Sequence, residues 1–226
     1  MKAYFLYICL FVASIVSAQD RTEIIEENFN KIKIANKVDV ELIPYASENK
    51  IEISGYDADE VIIKVKQGEL FVKLPIDEVF SDSDTKIKLY IKDFTSLNLN
   101  NGADVEITSQ IKQKEISLEA SEGSFLSADL DVDTARLKAV TGSEVHIYGK
   151  SENQYVTVKT GGIFIGKSFK TEKTDIKVSY GGTAEVYATH SCKAKTTAGG
   201  EIEIYGNPKK VDQKTKLGGS IDLMSK

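Results

Sequence analysis

The chain of 226 residues contains no tryptophan and only two histidines, two cysteines and two methionines. That scarcity excludes a disulfide framework. It also leaves too few ligands for a His/Cys metal cluster or a haem, so neither metal nor cofactor is expected. Positive charge is not in excess either: the formal net charge is −5 and the isoelectric point about 5.3. A nucleic-acid binder must neutralise phosphates, so nucleic acid is not an expected partner. No segment sustains a 3.6-residue apolar period over a useful length, which argues against helix. Leu, Ile, Val and Phe are plentiful, enough to exclude disorder and to build a sizeable core.

The one long apolar run is N-terminal. Lys2 precedes a run from Ala3 to Val16, and Val16-Ser17-Ala18 offers small residues for cleavage. This predicts a signal peptide over residues 1–18 and an exported protein of the periplasm, outer surface or extracellular space. The run is short for a bilayer span, and no later segment could serve as a second anchor. Ile8 precedes Cys9 where a lipid-attachment signal wants a small residue, which disfavours a lipoprotein. Removing the leader leaves 28 basic and 34 acidic residues and a single thiol, Cys192.

The sixteen glycines are ordinary in number but not in position. Fourteen lie at or beyond Gly102. Gly102, Gly123, Gly142, Gly161, Gly181, Gly199 and Gly218 are spaced by 21, 19, 19, 20, 18 and 19 residues, and the last four are each followed by a second glycine. A near-constant period of this size is the mark of a solenoid. Three residues after each anchor stand Val105, Leu126, Val145, Phe164, Ala184, Ile202 and Ile221; five after stand Ile107, Ala128, Ile147, Gly166, Val186, Ile204 and Leu223. The intervening positions are mostly polar, so each anchor opens a strand with one face inward. The segment before each anchor alternates in the same way. The prediction is an all-β, flattened, two-sheet, right-handed β-solenoid with repeats of about 19 residues and glycine at the tight corner. Cys192 falls in an inward column and should be buried.

From Phe29 to Leu99 the pattern is strand-like but less regular. Strands are expected at Ile32–Ile34, Val38–Ile43, Lys50–Ile53, Val61–Lys66, Glu69–Leu74 and Lys86–Ile91, with a turn at Gln67-Gly68 and a polar loop from Asp77 to Thr85. No linker separates the halves. Residues 19–226 are therefore expected to form one domain, irregular over 28–99 and regular over 100–223.

The segments FNKIKIANKVDVELIPY, ENKIEISGYDADEVIIKVKQGELFVKL, LNLNNGADVEI and YGNPKKVDQKTKLGGSIDL together resemble the "putative auto-transporter adhesin" head family of GIN-domain proteins, over roughly residues 28 to 223. The resemblance implies an exported, pectin-lyase-like β-helix of the Bacteroidetes-type cell envelope. It implies adhesion rather than catalysis, and a function that the family name does not define. The expected function is thus a non-enzymatic envelope module that binds a glycan or protein. A carbohydrate-active enzyme and a purely structural periplasmic module are the alternatives, and a homo-oligomer is compatible with either.

The outward columns supply the surface candidates. Tyr148, Tyr187 and Tyr205 each stand six residues after an anchor and could stack on sugar rings. Glu185 and Glu203 belong to an acidic column with Glu106 and Asp222, readable as a cation or glycan site but more simply as a solvated strand face. The opposite sheet carries Lys138, Lys177, Lys195 and Lys214 in one column, with Lys159 and Lys216 two residues further on. His146 has Ser127 and Glu106 in neighbouring repeats, without the strained elbow or oxyanion loop that a nucleophilic triad needs. Phe125, Ile163 and Ile165 face outward by phase and suggest a small apolar patch.

Overall fold

The computed structural model describes residues 20–75 and 85–224. The expected leader, nearly all of the expected polar loop and the last two residues lie outside that range. Over the described residues, nineteen strands and one 3-10 turn, Ala58–Glu60, make up the fold.

The solenoid stands as expected. Strands before the corners stack in parallel into one sheet: β2 (Lys31–Ala35), β6 (Glu69–Lys73), β8 (Ser96–Asn100), β10 (Ile111–Ser121), β14 (Phe169–Ser179), β16 (Ser191–Thr197) and β18 (Lys210–Lys216). Strands after the corners form the other: β3 (Asp39–Pro44), β7 (Lys86–Ile91), β9 (Asp104–Ile107), β13 (Ile163–Gly166), β15 (Thr183–Tyr187), β17 (Gly200–Tyr205) and β19 (Gly219–Leu223). Two long strands, β11 (Phe125–Val140) and β12 (Glu144–Lys159), belong to both sheets. Their second edge is a bend rather than a break. The register steps over Asp133 and Glu152, then over Glu152 and Glu172, where the ladder turns.

Each anchored corner is a pair of left-handed residues. Asn101-Gly102 has φ of 54° and 73°, and Tyr180-Gly181 has 55° and 73°. The N–H groups of one corner donate to carbonyls of the next, as Gly123 does to Thr141 at 3.1 Å and Gly142 to Thr160 at 3.0 Å, so the ladder continues around the turn. Asn36-Lys37 makes the same corner without glycine, at 70° and 54°. Asparagine tolerates this region through local hydrogen bonds, and buried Asn36 donates through Nδ2 to the Leu74 carbonyl at 2.6 Å. The identical geometry at Gln67-Gly68 joins β5 (Ile62–Lys66) to β6 as an antiparallel hairpin.

The residue after each corner points into the narrow end of the core. Along the rod it runs Val38, Ala103, Ser124, Ser143, Gly162, Gly182, Gly200 and Gly219. Side-chain volume falls along this column, and in the later repeats a Cβ at Gly162, Gly182 or Gly200 would lie 2.3, 2.8 and 2.8 Å from a neighbouring atom. Ser143 marks the transition: its Oγ accepts the Val140 N–H at 2.8 Å and donates to the Ala120 carbonyl at 2.7 Å.

One apolar cluster runs from Ile25 to Ile204 through both halves. Burial of each Leu, Ile or Val in it contributes about 1.5–3 kcal/mol. The chain order of the rungs is not their order in space. The β2–β3 rung lies between the β6–β7 rung and the β8–β9 rung. Beyond β6–β7 the stack ends in antiparallel strands: β5 on β6, β4 (Lys50–Ser54) on β7, and β1 (Arg21–Ile24) on β4. Antiparallel strands stop the parallel stacking at this end, a common device for managing sheet edges. At the other end no further strand among the described residues pairs with β18 or β19, Leu217 and Leu223 are exposed, and four lysines in or beside β18 discourage further pairing.

Cys192 is buried, in register with Thr174, and burial pushes its thiol up to about 12. The reactive thiolate is therefore scarce at neutral pH. The native protein should resist a thiol-specific chromogenic reagent at pH 8 and react fully once unfolded in urea. Equal rates in the two states would contradict the inward placement.

Candidate functional site

Alternation along the strands leaves each sheet one outward face, and parallel stacking arranges its side chains in columns about 4.8 Å apart. On the face formed by β3, β7, β9 and the following strands, Glu185 stacks on Glu203 and Tyr187 on Tyr205. These four candidates form one block. The Tyr205 hydroxyl donates to Glu203 at 2.7 Å, and that bond pushes its ionisation up to about 12. Lys167 pairs with Glu185 at 3.0 Å.

Tyr148 does not join the block. The Gly161 repeat separates it from Tyr187, and Lys167 occupies the tyrosine position there. The three tyrosines are thus a stacked pair and an outlier, 42% exposed, rather than a continuous ladder.

His146 and Ser127 are neighbours in register. The imidazole, however, turns to Glu144, with Nε2 2.5 Å from Oε1, and packs edge-on against Phe125 at 5.1 Å between centroids. It is thereby occupied away from the serine. Phe125 and Ile165 are half-buried and Ile163 is exposed, so the outward apolar patch is small.

Further along this face, Asp39 and Glu41 stack on Asp104 and Glu106. Desolvation first, then Asp39 and Glu106, push the Asp104 carboxyl above its usual range. Lys86 and Lys88 offset the cluster at 3.5 Å from Asp39 and 3.7 Å from Glu41. Among the described residues no group of three or more His, Cys, Asp or Glu is arranged to hold a metal ion.

A cleft of about 640 Å³ at the β17–β19 end is lined by Tyr187, Ile204, Gly206, Asn207, Pro208, Leu223 and Met224. Its lining contains no carboxylate, histidine, serine or cysteine side chain.

The opposite sheet differs in how its lysines are partnered. Lys138 meets Glu119 at 2.9 Å. Lys177, Lys195 and Lys214 then stack directly on one another, and Lys159 and Lys216 flank the column. The column is visible in the sequence, whereas Tyr180 is not, because it occupies a corner rather than a strand. It is 65% exposed beside these lysines. The signal that could have found it is the residue preceding each anchor, which stays outside the core.

A flattened all-β solenoid with two polar faces of contrasting charge defines the class of this protein. The particular family follows from its sequence: residues 28–208 match "Putative auto-transporter adhesin, head GIN domain", and the chain belongs to that family. Among curated proteins none matches. The fold is shared with a "putative adhesin" from Bacteroides fragilis NCTC 9343, at 17% identity over 92% of this chain and 98% of that one, with a TM-score of 0.84. It is shared also with a "putative adhesin" from Parabacteroides merdae ATCC 43184, at 18% identity over 93% and 98%, TM-score 0.66. A "putative lipid binding protein" from Parabacteroides distasonis ATCC 8503 aligns at 16% identity over 91% and 97%, TM-score 0.68. No helix among the described residues is long and apolar enough to cross a membrane.

Proposed function

We propose that the protein is an exported, non-enzymatic adhesion module that binds a partner at the cell envelope through its sheet faces. The observation that carries this reading is the layout of the polar side chains. They run as in-register columns along the rod, and even the cleft of about 350 Å³ at the second edge draws its Asp131, Asp133, Glu152 and Glu172 carboxylates from successive rungs. Such a layout suits many weak contacts with an extended partner. General acid–base chemistry instead needs two titratable groups aimed at one bound atom. The family name and the adhesin-like neighbours support the same reading.

The test is a glycan array combined with an envelope pull-down. Binding to a glycan class or an envelope protein, without turnover, is expected. No binding in either assay leaves a purely structural module. Release of new reducing ends from a polysaccharide would overturn the reading in favour of an enzyme.

A further inference from the structure

We infer that the lysine column is a binding groove for an acidic polysaccharide, one carrying carboxylates or sulfates. The inference rests on the adhesion reading and names its ligand class and site. The groove, about 270 Å³, is lined by Lys159, Lys177, Lys195, Ser179, Thr197, Tyr180 and the backbone around Val178.

Three observations carry it. The first is uncompensated charge. Four lysines outside this sheet are held by acids, Lys86 by Asp39, Lys88 by Glu41, Lys150 by Asp131 and Lys167 by Glu185. The neighbouring column on this sheet carries two acids, Asp175 and Asp212, on either side of Lys193, and among the described residues no acid lies within ion-pair distance of Lys159, Lys177, Lys195, Lys214 or Lys216. Like charges stacked directly across strands destabilise a sheet. An anionic ligand would remove that repulsion on binding.

The second is the company these lysines keep. The Ser179 and Thr197 hydroxyls stand in register beside them, with Lys159 and Lys216 continuing the same row. Tyr180 presents an exposed ring at the rim. Ammonium groups, hydroxyls and one aromatic face together match the acid groups, the hydroxyls and the apolar ring face of an acidic sugar.

The third is repetition. Lys177, Lys195 and Lys214 recur once per rung, about 4.8 Å apart, on the scale of one pyranose residue. A linear polymer lying along the rod axis would meet a cation at each step. One lone ring is not the platform of successive aromatics that a single-stranded nucleic acid uses. A bilayer would require inserted apolar surface, and on this sheet Tyr155, Tyr180 and, two corners beyond Tyr180, Leu217 protrude with no two of them in adjacent register.

The experiment is affinity electrophoresis of the purified protein through gels containing polygalacturonate, dextran sulfate or neutral dextran. Retardation by at least one acidic polymer and not by dextran is expected, weakening as salt rises. The double variant Lys177→Gln/Lys195→Gln should weaken binding roughly tenfold, and Tyr180→Ala about threefold. The pair Lys64→Gln/Lys66→Gln, in β5 at the far end, changes net charge equally and should leave binding as it was.

Equal loss in both lysine pairs would overturn the groove, because bulk charge would then explain retention. Equal or tighter binding to phosphatidylglycerol vesicles or single-stranded DNA would overturn the ligand class. Absence of retardation by every acidic polymer, with a neutral-glycan or protein partner found on the array or in the pull-down, refutes the groove and leaves the adhesion reading standing. Absence of any partner in all assays refutes both.

Discussion

Gly162→Ala should destabilise the protein by about 3 kcal/mol or more, while Gly161→Ala, one residue earlier, should cost only about 1–2 kcal/mol. The two glycines are required for different reasons. Gly161 has φ of +69° and nothing within 4 Å of where a methyl would stand, so its replacement meets only the backbone preference against left-handed residues. Gly162 faces the narrow end of the core, where a Cβ would sit 2.3 Å from the Ala139 carbonyl oxygen and 2.7 Å from its carbon. Those atoms are backbone of the preceding rung, and no rotamer relieves the overlap. The rungs would have to part, weakening the ladder on both sides. Gly161→Asn should be milder than Gly161→Ala, since Asn36 occupies a left-handed corner position already. Urea midpoints at constant m-value report the difference. Equal losses at the two positions would show that the corner column is not tightly closed.

A comparable loss is expected where glycine interrupts an inward apolar column. Gly166 stands where the other repeats carry Ile, Ala, Val or Leu. A methyl there would lie 2.5 Å from the Phe164 ring. The fully buried phenyl group of Phe164 fills the space of two positions. Phe164→Ala should therefore cost about 3–5 kcal/mol through the cavity it opens. Gly166→Ala alone should cost about 1–3 kcal/mol through overpacking. Combining Phe164→Leu with Gly166→Ala should lose less than the two single changes together, by about 1 kcal/mol, because each relieves the other. Strict additivity would mean that the ring moves aside without cost.

The same physics explains which features are legible in the sequence. The seven glycine corners are legible because the second residue of a left-handed pair strongly favours glycine. The Asn36-Lys37 corner adopts that geometry without glycine, so the rung it belongs to reads only as two irregular strands. The second edge of the rod is hidden because β11 and β12 bend through it without turn residues. Its trace is a column nine residues before the anchors: Asp93, Lys114, Asp133, Glu152, Glu172, His190 and Lys209, every one ionisable. Phase groups Tyr187, Tyr205, Glu185 and Glu203 correctly. It puts Tyr148 in the same column, with Lys167 six residues after Gly161 standing between it and Tyr187. The lysine column is legible, but its lack of acidic partners depends on side-chain positions that periodicity does not supply.

Ile32 of β2 lies against Leu70 on one side and Leu97 on the other, both synthesised after it. The first rung made is therefore an interior layer, a keystone set between courses laid later. The rod cannot assemble in the order of translation, and β2 and β3 each lack one of their two neighbours until residues 96–107 are available. Each of the two contacts closes a long loop, whereas the glycine-cornered rungs join partners about one repeat apart. Shortening the chain past β1 and through β2 and β3 would not trim the end of the stack. It would pull a layer from the middle and leave two core surfaces facing an empty course.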